Sequence, residues 1–174
     1  MPRTPSGRAR ADTMNGAPWN RIADIHNLMP GTAQATRRNV GFVAAIARRR
    51  TGCDPDRVET VLAEVLNNVV EHACRNRAGH VVGLEVWLLP RDIWVRVTDD
   101  GLPMPGAQLP EAKATPPEAL PEGGFGLSLI RRLARDLRYR REDGRNILTF
   151  RVSAETAPRV SAPRRPAERR TAGV

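Results

Sequence analysis

Apolar and polar residues change their spacing along this chain, and each change marks an element. Across residues 33–50 (AQATRRNVGFVAAIARRR), Val40, Val43, Ala44 and Ala47 recur at three- and four-residue intervals, the period of one helical face. The arginines that close this stretch suit the negative pole of a helix dipole. Asp54-Pro55 opens a second helix, with a carboxylate to cap the first amides and a proline where no N–H is needed. From there Val58, Val61, Leu62, Val65, Leu66, Val69 and Ala73 share one side of a 3.6-residue wheel, which predicts a helix lying on a broad apolar surface. After residue 80 the period falls to two. VVGLEVWLLP sets Leu84, Val86 and Leu88 on one face, Arg91-Asp92 turns the chain, and in IWVRVTDD the residues Ile93, Val95 and Val97 alternate with Trp94 and Arg96. This predicts a hairpin with one buried face.

Residues 101–122 have no clear period and carry Pro103, Pro105, Pro110, Pro116, Pro117 and Pro121, which predicts a long loop of the kind that serves as a lid. A third helix follows, with Leu127, Ile130, Leu133, Ala134 and Leu137 on its apolar stripe. The sequence then reads YRR, a turn at Glu142-Asp143-Gly144, and the strand NILTFRV; a first strand within WNRIADIHNLM alternates weakly. Helix, helix, hairpin, loop, helix, hairpin is the order of an α+β two-layer sandwich with helices on one face of a mainly antiparallel sheet.

Composition narrows the function classes. A chain of 174 residues suits one domain. No apolar run approaches the roughly 20 residues that cross a bilayer, and MPRTPSGRAR lacks the apolar segment of a secretory signal, so a soluble, cytoplasmic protein is expected. Of the net charge of +9, residues 1–18 supply +2 and residues 153–174 supply +3. Both ends are rich in Pro, Ala, Ser and Thr, which bury too little apolar surface to offset ordering entropy, so two disordered tails are expected around a domain spanning 19–152. Only Lys113 among 28 basic residues is a lysine, and no aromatic residues interleave the basic tail to stack on bases. Direct nucleic-acid binding is therefore not expected; a protein built for it would bind DNA with steep salt dependence that vanished with the tails. Cys53 and Cys74 lack the spacing of a zinc site or redox pair and read as small buried thiols.

Three polar constellations carry the chemistry. Glu64, Asn68 and His72 stand four residues apart on the polar side of the second helix, so one stripe offers a carboxylate, an amide and an imidazole. A solvated helix face would explain the stripe, yet Asn67 and Asn68 are both poor helix formers in mid-helix. An asparagine oxygen suits Mg²⁺ bridging phosphates, and a carboxylate one turn earlier suits a base. In TDDGLP, Asp99 leaves a strand with Gly101 two residues on: a plain turn, or a carboxylate for an exocyclic amine such as adenine's beside a backbone open to a flat ligand. In GGFGLSLI, Gly124 and Gly126 precede a helix without a third glycine or a Gly-Lys-Ser/Thr, so neither a dinucleotide fingerprint nor a P-loop is present. Either they are a hinge, or their N–H groups face an anion at the helix N-terminus, for which phosphate is the natural guest.

E-x-x-x-N on a helix, D-x-G after a strand, a proline-rich lid and G-x-G before a helix, in this order, resemble the ATP-binding fold shared by gyrase, histidine kinases and mismatch-repair ATPases. EVLNNVVEHA, VTDDGLPMP, GGFGLSLIRRL and YRREDGRNILTF resemble most closely the bacterial anti-sigma factor serine/threonine kinases, over residues 33–152. The resemblance implies that Asn68 coordinates Mg²⁺, that Glu64 is the general base, and that Asp99 binds the adenine amine with Gly101 beside the ring. Gly124 and Gly126 would line the triphosphate, and Asn146 would help to close the base pocket. It also implies two partners, a STAS-domain anti-sigma-factor antagonist and an RNA polymerase sigma factor, together with homodimerisation. Pro103 stands where many members of the wider fold have a second glycine, as it often does in this branch. The chain has no separate helical module with a phosphoacceptor histidine, which argues against a complete histidine kinase. Two readings stay open: an enzyme that moves phosphate onto a protein hydroxyl, and an interaction module in which nucleotide stabilises a surface that sequesters a partner.

Overall fold

The computed structural model describes residues 16–110 and 125–155. The elements follow in the order β1 (Ile25–Pro30), α1 (Ala33–Arg50), α2 (Pro55–Asn68), a π-helical turn (Val69–Ala73), β2 (Val81–Leu88) and β3 (Asp92–Asp99). A short 3-10 turn (Pro105–Ala107) comes next, then α3 (Phe125–Leu133), β4 (Arg135–Glu142) and β5 (Arg145–Ser153). The strands form one sheet in the order β1-β2-β3-β5-β4, every neighbour antiparallel. This is the expected α+β sandwich.

Local chemistry sets the helix limits. The Thr32 hydroxyl accepts from the Ala35 amide to start α1, and Thr51 ends it by returning its own N–H to the Ala47 carbonyl. The Asp54 carboxylate accepts from the Asp56 amide and Pro55 occupies the first turn of α2. Val58, Val61, Leu62, Val65 and Leu66 then bury the inner face of α2 against Leu84, Val86, Val95, Val97, Leu148 and Phe150 of the sheet. Fully burying side chains of this size contributes about 1.5–3 kcal/mol each, which makes this layer contact the main source of stability.

Four details depart from the sequence reading. The hairpin turn is centred on Pro90-Arg91, with Leu89 and Asp92 exchanging backbone hydrogen bonds, so Asp92 is the first residue of β3. The outer face of that hairpin is covered as well: Trp87 and Trp94 are buried beneath Trp19, which meets both edge-on at 4.9 and 5.4 Å. The Arg96 guanidinium lies 4.7 Å from the Trp19 ring and 5.2 Å from that of Trp87, and the Trp87 indole donates to the Arg21 carbonyl. The third helix stops at Leu133, and Leu137 belongs to β4, because Asp136 takes a positive φ of 53° at a register shift between Arg135 and Arg138. Lastly, α2 does not run on as an α-helix to Ala73 but widens into the π turn. The weak first strand is β1, an edge strand with only Ile25 and Met29 buried, fastened to α1 by the Asn27 amide donating to Asn39.

Cys53 and Cys74 are free and buried. Among the described residues no helix is long and apolar enough to cross a membrane. Of the expected tails, residues 1–15 and 156–174 lie outside the described residues, as does the stretch 111–124, which includes most of the expected lid and Gly124.

Candidate functional site

Asp99 is the last residue of β3, a central strand, and faces Asn146 across the ladder to β5. The strand pairing therefore buries a carboxylate beside a carboxamide, and Asp99 is only 5% exposed. Its Oδ1 accepts the Asn146 amide at 2.7 Å and the Gly101 N–H at 2.9 Å. Burial raises the Asp99 pKa above 3.8; the two hydrogen bonds oppose that rise, Asp100 adds to it, and the Arg141 charge works against it. Oδ2 has no partner among the described residues.

Asn146 also organises the chain that leaves β3. Its amide donates to the Leu102 carbonyl at 2.9 Å, and its Oδ1 accepts from the Tyr139 hydroxyl and the Arg141 guanidinium. Arg141 bonds the Gly101 carbonyl at 3.1 Å and the Tyr139 oxygen accepts the Met104 N–H at 3.1 Å. Residues 101–104 are thus stitched to the β4–β5 hairpin. Tyr139 and Arg141 carried no signal in the sequence reading. The one available was that Tyr139, the chain's single tyrosine, alternates onto the same face of β4 as Arg141, whose guanidinium is hidden among the arginines of RYRRE.

Gly101 is buried, but its neighbour is protein rather than open space. A Cβ there would stand 2.5 Å from the Ala73 carbonyl oxygen and 2.6 Å from its carbon, while the next residue's N–H donates to that same oxygen at 3.0 Å. The missing side chain lets the loop after Asp99 lie against the end of the π turn. One turn and a half upstream, Glu64 and Asn68 are half-buried on α2, and neither side chain makes a hydrogen bond within the described residues. Gly126, in the first turn of α3, closes over them: a Cβ on it would lie 2.5 Å from Glu64 Oε2 and 3.5 Å and 3.7 Å from the Asn68 amide nitrogen and oxygen.

The fold therefore gathers the expected residues into two groups joined by one short turn. Asp99, Gly101 and Asn146 form the first; Glu64, Asn68 and Gly126 form the second. His72 belongs to neither, since the π turn breaks the 3.6-residue period after Asn68 and leaves His72 exposed. π turns of this kind are frequent at functional sites. Next to the first group, His80 bonds Asp100 at 3.0 Å and the Val81 N–H adds a second donor at 3.2 Å. Burial acts to raise the Asp100 pKa, but these two donors and the His80 charge together bring it below the usual value.

The donor set fits a metal-bound nucleotide. An unengaged asparagine oxygen can give Mg²⁺ one hard ligand, with phosphate oxygens and water supplying the rest, as that ion prefers. Among the described residues there is no cluster of three or more His, Cys, Asp or Glu that would hold a metal by protein ligands alone. Asp99 Oδ2 offers an acceptor to an amine, and the vacancy at Gly126 keeps the second group clear of side chains at a helix N-terminus, where anions are favoured.

Residues 29–152 match the histidine kinase-like ATPase domain. The catalytic domain of the histidine kinase ThkA is 15% identical, covers 75% of this chain and 97% of its own, and superposes with a TM-score of 0.45. The mycobacterial sensor histidine kinase MprB is 14% identical over 74% of this chain and 97% of its own, with a TM-score of 0.42. No curated protein matches the sequence. With the match spanning most of the chain and both residue groups inside it, this protein belongs to the histidine kinase-like ATPase domain family.

Proposed function

We propose that the protein is an ATP-dependent anti-sigma factor serine/threonine kinase, which phosphorylates a STAS-domain antagonist and, released from it, sequesters an RNA polymerase sigma factor. The observation that carries this reading is Glu64, a carboxylate with no hydrogen-bond partner among the described residues, one helical turn from Asn68 and directly beneath Gly126. A module that only sequestered a partner would need no base at that point. The cytoplasm, where sigma factors act, is the location that goes with this reading.

In the reaction, Asp99 Oδ2 accepts from the adenine amine while Asn146 holds Oδ1. Asn68 would hold Mg²⁺ through its side-chain oxygen, and Gly126 with the start of α3 would face the triphosphate. Mg²⁺ held there would supply positive charge against the charge that develops as the terminal phosphoryl group moves. Glu64 takes the proton from the serine or threonine hydroxyl as its oxygen bonds the γ-phosphorus; the bond to the β-phosphate oxygen breaks and ADP leaves.

Replacing Glu64 by Gln tests the assignment. With a STAS-domain antagonist and radiolabelled ATP, the wild type is expected to transfer label to the antagonist. E64Q should lower that rate by about 10²–10⁴-fold, the usual contribution of a general base, while ATP affinity by calorimetry stays within a few-fold. A wild type that binds ATP and the sigma factor yet transfers no label would instead identify a nucleotide-stabilised sequestering module.

A further inference from the structure

The Asn146 amide has one permitted orientation, set by donors from β4 on its oxygen side and by acceptors on its nitrogen side. Its Oδ1 lies 2.6 Å from the Arg141 guanidinium, which can only donate, so the atom facing Arg141 must be the oxygen. The Tyr139 hydroxyl stands 2.7 Å from the same oxygen and already accepts the Met104 N–H, so its own proton is directed to Asn146. Nδ2 is thereby turned inward, and both of its protons are committed, to Asp99 Oδ1 and to the Leu102 carbonyl. With the Gly101 N–H as a second donor, Asp99 Oδ1 is occupied and Oδ2 alone is left for a ligand.

We propose that Tyr139 and Arg141 are positioning residues for base selection: by locking the Asn146 amide they hold Asp99 as an acceptor with one open oxygen, which favours a 6-amino purine and rejects a 6-oxo purine. This rests on the reading of the pocket as an ATP site. Without the lock, only the two acceptors at Nδ2 still hold the orientation, and Asn146 turns over more readily, setting its oxygen against Asp99 Oδ1. Taking the charge off the carboxyl lessens the repulsion between the two facing oxygens, and a carboxyl protonated on Oδ2 donates at the position where the carboxylate only accepted. A 6-oxo group then finds a donor where it previously met a carboxylate. The ionisable groups around Asp99 favour that outcome once Arg141 is lost: Asp100, bonded to His80, adds negative charge from the strand end, and the Cys74 thiol behind the loop is neutral, its pKa raised by burial to about 11.

The test is calorimetric titration of the full chain with Mg-ATP and with Mg-ITP, which shares the sugar and triphosphate but carries oxygen at position 6. Wild type is expected to prefer ATP by about a hundredfold or more, since a site built to pair with one hydrogen-bonding group strongly rejects its mismatch. Arg141→Met and Tyr139→Phe should each reduce the ATP/ITP ratio about tenfold. Arg141→Lys, which keeps a donor and a charge, should recover most of the ratio. Thermal melts verify that each variant is folded, and Arg141 is exposed on an edge strand, so its replacement leaves the core intact. A brace of purely structural importance would weaken both nucleotides alike; an unchanged ratio in Arg141→Met and Tyr139→Phe therefore overturns the proposal. A folded wild type that binds neither nucleotide overturns the ATP reading itself, and the inference falls with it.

Discussion

At the scale of single residues, Asp99 is held in a form its surroundings disfavour. Its folded pKa lies above the ordinary 3.8 because burial penalises the charge more than Asn146 and Gly101 relieve it. Stability linked to a raised pKa is fully present below 3.8 and is lost as pH rises through the folded value, so the ionised carboxylate costs stability at neutral pH. Asp99→Asn keeps an oxygen for both donors and removes the charge. At pH 7 this variant is expected to melt at or above the wild-type temperature while losing ATP binding. The stability difference should close as pH is lowered through the folded Asp99 pKa, which melts across that range will measure. A site residue that costs the fold something and returns a ligand contact is the usual stability–function trade.

At the scale of elements, two glycines that look alike in the sequence do different work. An alanine Cβ at position 101 would meet the Ala73 backbone at 2.5–2.6 Å, and neither the loop nor the π turn can yield without breaking the Leu102-to-Ala73 hydrogen bond. Gly101→Ala is expected to cost about 1–3 kcal/mol by denaturant melts. At position 126 the obstacle is Glu64 Oε2, the free end of a flexible side chain. Gly126→Ala should leave stability unchanged or raise it by up to about 1 kcal/mol through helix propensity, while displacing Glu64 and depressing phosphoryl transfer. The D-x-G and G-x-G patterns were legible as positions where a side chain is forbidden. What forbids it was not legible, because the neighbours come from α2 and its π turn, 28 residues or more before Gly101 and further still before Gly126. Leu137 shows the same limit. It sits four residues after Leu133, a spacing that satisfies a helix stripe and a strand face equally, and the pairing with β5 decides for the strand.

At the scale of the molecule, the two residue groups lie on different elements: Asp99, Gly101 and Asn146 at the sheet, Glu64, Asn68 and Gly126 between α2 and α3. A ligand that spans both should tie the helix layer to the sheet and raise the melting temperature in proportion to its occupancy. At Mg-ATP a hundred times its dissociation constant, mass action predicts about 2.7 kcal/mol of stabilisation, readable as a shift in the thermal midpoint. Chelating the metal should remove most of that shift in the wild type, and little in Asn68→Ala, if Asn68 is the metal's protein ligand. The outer face of the sheet needs no such ligand. Trp19 already seals it over Trp87, Trp94 and Arg96, and Asp24 ties the same segment to the Leu88 amide and, by a 3.3 Å ion pair, to Arg50.

Periodicity, caps and turn residues are local properties, and they were enough to determine the order of elements, the two-layer class, and Glu64, Asn68, Asp99, Gly101 and Gly126 as the residues to watch, whereas Asn146 entered only through the family resemblance of the closing segment. Strand order β1-β2-β3-β5-β4, by contrast, depends on contacts between segments far apart in the chain, and it alone places Asn146 opposite Asp99. The direction of a hydrogen bond is more remote still from sequence. Whether the Asn146 amide shows its nitrogen or its oxygen to Asp99 follows from Tyr139 and Arg141 on a neighbouring strand together with the Leu102 carbonyl, and such an orientation exists only once every donor and acceptor around it has been brought within about 3 Å.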